Sequence, residues 1–276
     1  MVHTYRTLRV APSDVGLLGV VIAAPPMNLI GPELVRDLVG LLGALESDQE
    51  TKVVVLESAD PDYFVPHVDL TKVAEYTAEA AKAGGPGDAS LGMLWHKLSE
   101  LPVVTIAKIR GRARGAGSEL ALACDMRFAA RENAILGQIE VGAGTLPGAG
   151  GVQHLARLLG RGRAMEAILG ADDFGAEVAE RYGWINRALP DADLDAFVAR
   201  LARRIASFPA DAVRSAKRVL NELTMPGADA IRADARRFHQ LVVSDAAQAR
   251  TAALFAQGLQ TRGPLELDLG DRLGTL

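Results

Sequence analysis

Hydrophobic residues recur along the chain in two rhythms, and the switches between them outline its elements. Over 32–46 they fall three and four apart, with Leu34, Val35, Leu38, Leu41, Leu42 and Leu45 on one face. That spacing predicts a helix, and Pro32 suits its first turn. Short β-rich runs predict strands at 5–10, 17–23, 52–57 and 63–65, the first two joined by a turn over 11–16. Asp69 is placed to cap a helix running to about residue 82, and a second helix covers 89–101. A glycine-rich loop separates them at 83–88.

The stretch 103–131 organises the rest. Residues 103–109 are apolar and β-branched, the pattern of a fully buried strand. A glycine-rich turn follows over 111–117. A helix over 118–124 then buries Leu120, Ala121, Ala123 and Cys124, with Glu119 in its first turn. Beyond it come a strand at 134–138, a long glycine loop at 142–151, helices at 152–159, 163–169 and 176–182, and a strand at 184–189. After Pro190 the strand rhythm stops. Residues 193–207, 210–223, 229–243 and 246–260 all read as amphipathic helices. The chain therefore divides into an α/β region, 1–190, and an all-helical region, 191–276, which needs another surface to bury its apolar faces.

Composition narrows the class. The chain has 276 residues, 49% hydrophobic and 23% charged, with net charge −4. This balance gives no electrostatic footprint for nucleic acid or an anionic membrane. No apolar run approaches the roughly 20 residues of a membrane helix. The run at 16–24 could mimic a leader core, but after Pro12, Ser13 and Asp14 it reads better as a strand. Cys124 is the one cysteine, so no intrachain disulfide can form and a reducing compartment, the cytoplasm, is expected.

A strand that enters a helix through glycines aims free backbone N–H groups at one spot. That spot suits a phosphate, or a carbonyl oxygen that becomes an anion during reaction. The dinucleotide fingerprint fails, because its third glycine would fall at Leu120, and no Gly-Lys-Ser/Thr ending follows. Two carboxylates stand beside glycine-rich backbone: Glu119, opening the central helix, and Glu140, before the long glycine loop. Together they can divide acid and base duties. The five histidines lack metal-ligand spacing. His67, beside Asp69, is the one that invites a role at a site. Ser118 lacks a nucleophile-elbow frame. Arg110, Arg112 and Arg114 suit either a solvated face or an anionic ligand.

Residues 102–170, from PVVTIAKIRGRARGAGSELALACD through TLPGAGGVQHLARLLG, closely resemble the signature region of the crotonase (enoyl-CoA hydratase/isomerase) superfamily. PPMNLIGPEL at 25–34 resembles that family's first strand–helix junction. YFVPHVDL at 63–70 resembles its first acyl-CoA-binding segment. The resemblance implies a crotonase-like spiral of ββα units, with a C-terminal helical region that builds homotrimers or dimers of trimers. It implies an acyl-CoA thioester as substrate, with no metal and no cofactor beyond the coenzyme A of the substrate. The two backbone donors to the thioester oxygen align with Val68 and Ala116, and the hydratase glutamates with Glu119 and Glu140. Substrate contacts align with Pro66 and Leu70, and Gly148 aligns near the carbonyl; His67 lies between them. With both glutamates present, the resemblance implies hydration of an α,β double bond. The alternatives are a double-bond isomerase, another CoA-thioester reaction or a non-catalytic acyl-CoA binder. The chain departs from the family at Pro66-His67-Val68, where Ala-Gly-Ala is usual. Pro66 has no N–H, and Val68 adds bulk beside the acyl site.

Overall fold

The computed structural model describes residues 4–84 and 90–275. Two sheets meet at the core. The larger has the order β1 (Leu8–Asp14), β2 (Leu17–Ile22), β3 (Val53–Ser58), β5 (Val104–Ile109), β7 (Met126–Ala130) and β10 (Arg187–Leu189). Only β1 runs antiparallel to its neighbour. The smaller contains β4 (Tyr63–Val65), β6 (Arg112–Arg114), β8 (Ile135–Gly137) and β9 (Asp173–Gly175), with β9 antiparallel. The chain thus visits the sheets alternately: β3 then β4, β5 then β6, β7 then β8. Each pair leads into helix: α2 (Val73–Gly84) and α3 (Leu91–Glu100), then α4 (Ala116–Ala123), then α5 (Gly151–Leu159) and α6 (Arg161–Gly170). This is the spiral of ββα turns that the family resemblance implied.

Residue chemistry explains the corners. At Gly111, φ is +71°, and an added methyl would lie 2.2 Å from the carbonyl carbon of Asp62. Only glycine lets the β5–β6 corner stack so closely on the β3–β4 corner. Asn28 also has positive φ, 60°. Its Oδ1 accepts from the Ala24 N–H, and its Nδ2 donates to Ser58 Oγ, so one buried side chain fixes the turn before α1 (Pro32–Ser47).

The larger sheet is covered on both faces, which is why its parallel strands are largely apolar. One face meets the main core with α1, α3 and α4. Val53, Val104, Ile106 and Phe128 on the other meet Leu194, Val198 and Ala202 of α8 (Asp191–Ala206). The rest of the tail is α9 (Ala210–Thr224), α7 (Ala176–Tyr182) having preceded β10, then α10 (Ala228–Val242), α11 (Asp245–Ala256), α12 (Pro264–Leu267) and α13 (Leu269–Leu273). Lys217 of α9 is buried and donates to the Val103 carbonyl and to Asp125, tying tail to sheet. No helix among the described residues is long and apolar enough to cross a membrane.

Several expectations need correction. The glycine-rich turn over 111–117 holds a strand, β6, and α4 starts at Ala116. Three residues between glycines are too few for a readable period. Asp69 does not cap α2; its carboxylate accepts from the backbone and hydroxyl of Thr71. The turn over 11–16 is shorter, because β1 continues to Asp14. β7, β9, α12 and α13 had no counterpart in the pattern. Of the expected loop at 83–88, Ala83 and Gly84 end α2, and the remainder lies outside the described residues.

Candidate active site

One apolar cleft of about 990 Å³, counted out to its open mouth, gathers most of the residues singled out in the sequence. His67, Val68, Leu70, Ala116, Glu119, Glu140 and Gly148 all line it. Pro66 does not, although its neighbour His67 does.

The first wall is the N-terminus of α4. Gly115, with φ +50°, turns β6 into the helix. Gly117 lies against β4, where a methyl would come 1.9 Å from the Val65 carbonyl oxygen. No larger residue permits that approach. The helix start is therefore held against the strand that leads to Val68. All eight residues of α4 are buried. At its far end the buried guanidinium of Arg127 donates to the carbonyl of Cys124 at 2.7 Å and to that of Trp184 at 2.9 Å. The carbonyl end is thereby satisfied, and the N–H end is left facing the cleft. The Ala116 N–H has no hydrogen-bond partner among the described residues.

The second wall is the segment 66–70. A bridge pairs Val68 with Ile30. Ile30 donates to the His67 carbonyl, and Asp69 donates to the Ile30 carbonyl, both at 3.0 Å. In that register the Val68 N–H points away from Ile30, and it too has no partner among the described residues.

Between these walls stand the two carboxylates. Glu119 is buried, and its Oε1 accepts from the N–H groups of Ala149 and Gly151, both at 2.8 Å. Both donors lie in the glycine loop, where Gly151 leaves no room for a side chain: a methyl would lie 2.7 Å from Gln138 Nε2 and 3.0 Å from Glu119 Oε1. Burial pushes the Glu119 carboxyl up to about 7; the two N–H bonds oppose the rise and Asp234 adds to it. Glu140 is raised well above the usual carboxylate range, first by burial and then by the charge of Glu119. Its Oε2 is buried without a partner, while its Oε1 lies close to Gly115. The two carboxyls therefore cannot both ionise cheaply. Glu140 keeps its proton at neutral pH, while Glu119, with its midpoint about 7, gains its charge as pH rises through neutrality and is then stabilised by the two amides.

The tail closes the cleft. Phe238 and Val242 of α10, Leu254 of α11, Leu259, and Leu269 and Leu273 of α13 complete its lining. Sequence reasoning missed this wall because an amphipathic helix does not declare which surface it covers. It also missed Ala149 and Gly151, whose contribution is backbone alone; the crowding of glycines in the loop was the available signal. No cluster of three or more potential metal ligands occurs among the described residues.

The family model described as enoyl-CoA hydratase/isomerase matches residues 14–261. A short-chain-enoyl-CoA hydratase of Clostridium acetobutylicum is 35% identical over 196 residues, 71% of this chain and 73% of the relative. A crotonyl-CoA hydratase of Syntrophomonas wolfei is 34% identical over 197 residues, 71% of this chain and 74% of the relative. A solved structure from Streptomyces avermitilis, described as a "putative enoyl-CoA hydratase", is 63% identical with TM-score 0.98, covering 100% of this chain and 99% of that one.

Proposed function

This chain belongs to the enoyl-CoA hydratase/isomerase family, and from that premise we propose that the cleft binds an acyl-CoA thioester and adds water across its α,β double bond. The observation that carries the reading is the buried Glu119–Glu140 pair beside two unpartnered backbone amides.

The thioester oxygen accepts from the N–H groups of Val68 and Ala116. These donors strengthen as the oxygen gains charge, so they favour the enolate over the ground state. Glu119 orients a water and takes its proton as the oxygen attacks Cβ. Electrons move through Cα to the thioester oxygen. Glu140 then gives its proton to Cα, and the enolate collapses to the saturated thioester. The proton on Glu119 returns to Glu140, which resets the pair. One water is consumed, and no electrons leave the substrate. Such a step needs no cofactor beyond the coenzyme A that the substrate carries.

Pro66, His67, Leu70 and Gly148 belong to the substrate-binding surface in this reading, with Pro66 acting from just outside the cleft lining. The tail supports assembly as a homotrimer or dimer of trimers, since Val219, Leu220 and Leu223 of α9 leave apolar side chains exposed. A cytoplasmic enzyme fits a chain with one buried cysteine.

The test is turnover of crotonyl-CoA and of longer and aromatic enoyl-CoAs. Glu119→Gln and Glu140→Gln should each lower kcat by about 100- to 10,000-fold while coenzyme A binding persists. No hydration of any of these substrates by the wild-type chain would overturn the reading. Double-bond isomerisation surviving in Glu119→Gln would move the assignment to an isomerase.

A further inference from the structure

His67 and Glu266 form a buried pair that the hydration steps do not use. His67 stands immediately before Val68, and its ring is buried. Nδ1 lies 2.9 Å from the Val68 carbonyl oxygen. Nε2 lies 2.9 and 3.1 Å from the two oxygens of Glu266, 199 residues away in the chain. Both ring nitrogens thus face oxygen acceptors, so the ring is held at both ends. Glu266 has no exposed surface. Burial would raise its carboxyl, but the His67 charge and hydrogen bond, the Gln260 N–H and Arg114 outweigh that and hold it low.

Gln260 closes the ring of contacts. Its N–H donates to Glu266 Oε1 at 2.6 Å, and its Nε2 donates to the Val68 carbonyl at 3.0 Å. That carbonyl therefore has two donors. The His67 carbonyl, which shares a peptide plane with the Val68 N–H, accepts from Ile30. The carbonyls on either side of the Val68 N–H are thus both tied down, and that N–H is left for the cleft. Arg114, fully buried on β6, anchors the other side of Glu266 by donating to its carbonyl at 2.6 Å. A buried ion pair gives little net stability, because desolvation offsets its attraction. Apolar side chains would fill the same space at less cost.

We propose that His67 and Glu266 are positioning residues that, with Gln260, fix the peptide plane carrying the Val68 N–H against the thioester oxygen. Neither residue touches the reacting atoms in this role. The proposal rests on Val68 as a thioester donor, as argued above.

The experiment compares wild type with Glu266→Gln. The neutral amide keeps the shape and removes the carboxylate that holds His67 Nε2. The kcat for crotonyl-CoA should fall roughly 10- to 100-fold, the scale expected of a misplaced catalytic group. KM should stay within about twofold, since ground-state binding is unaffected. Bound acetoacetyl-CoA, whose enolate absorbs in the near ultraviolet, should lose that band in parallel. An unchanged kcat and enolate band would overturn the proposal. So would a joint fall in kcat, coenzyme A affinity and melting temperature with the band retained, the signature of a merely structural pair. If Glu266→Gln does not fold, Gln260→Ala carries the same readouts, and an unchanged band there overturns the proposal. A wild type that binds acetoacetyl-CoA as its enolate but hydrates no enoyl-CoA would contradict the hydratase reading and leave the positioning claim standing.

Discussion

The two walls of the cleft offer a backbone amide each, yet they are built by opposite means. The Ala116 wall is local: a strand, two glycines and a helix follow one another within a dozen residues, and no side chain holds the amide in place. The Val68 wall is assembled at long range. Its neighbour His67 meets Glu266, and its carbonyl meets Gln260, 192 residues away. A local device depends on space for backbone, so it fails when atoms are added. A long-range device depends on polar partners, so it fails when charge is removed.

Breaking the local wall should have the largest effect. Gly117→Ala places a methyl 1.9 Å from a carbonyl oxygen, beyond what a rotamer change can relieve. The expected loss is on the order of 3 kcal/mol or more, with hydration lost, checked by urea unfolding and turnover together. A stable, active Gly117→Ala would show that the close approach is dispensable. Cutting the support of the distant wall should rank next. Arg114→Met leaves Asp173 without the guanidinium that binds both its oxygens, and frees the Glu266 and Leu267 carbonyls. About 3 kcal/mol should be lost, read in the same titration.

Legibility followed the same divide. The strand, glycine turn and helix over 103–124 could be read in sequence because each lies within one window. Their apolar period and glycine spacing state the local geometry directly. Glu119 and Glu140 were legible as candidates for the same reason, each abutting a glycine-rich stretch. That they share one cleft was expected from the family resemblance; the hold of the Ala149 and Gly151 amides on Glu119 was not legible, since it depends on the loop folding back onto the helix. Glu266 sits in a glycine-spaced stretch with no helical period, Gln260 was read as the last residue of a helix that ends at Ala256 instead, and nothing near either points to residue 67. The strand β6 escaped because its three residues lie between Gly111 and Gly115 and read as part of a turn. Asp69 was read as a cap from residue type alone, whereas its carboxylate serves a turn at Thr71.

The shared proton sharpens the contrast through pH. Glu140 is held far above its ordinary value of 4.5, so the folded chain binds this proton more tightly than the unfolded chain. Its contribution to stability is full below about pH 4.5 and fades as pH rises toward the folded value. Glu140→Gln has no proton to lose. Against wild type it should gain stability steadily as pH rises above that point, seen as a melting temperature higher than wild type's at pH 7.5 but not at pH 4.5. An equal difference at both pH values would contradict the buried, shared proton. Activity should also fall on the acid side as Glu119 protonates with its midpoint about 7.

The smallest effect is expected at the rim. Arg262 joins the tail to Asp60, Asp62 and the Pro26 carbonyl, but it is well exposed. Arg262→Ala should cost under about 1 kcal/mol and leave kcat unchanged, which would separate the surface latch from the buried one at His67.

All of this turns on where the thioester oxygen sits. A crystal structure with acetoacetyl-CoA bound addresses it directly. The account predicts that oxygen within about 2.7–3.1 Å of both the Val68 and Ala116 nitrogens, with Glu119 and Glu140 flanking the adjacent carbons. An oxygen bound by only one of these amides, or a thioester lying away from the two carboxyls, would contradict it.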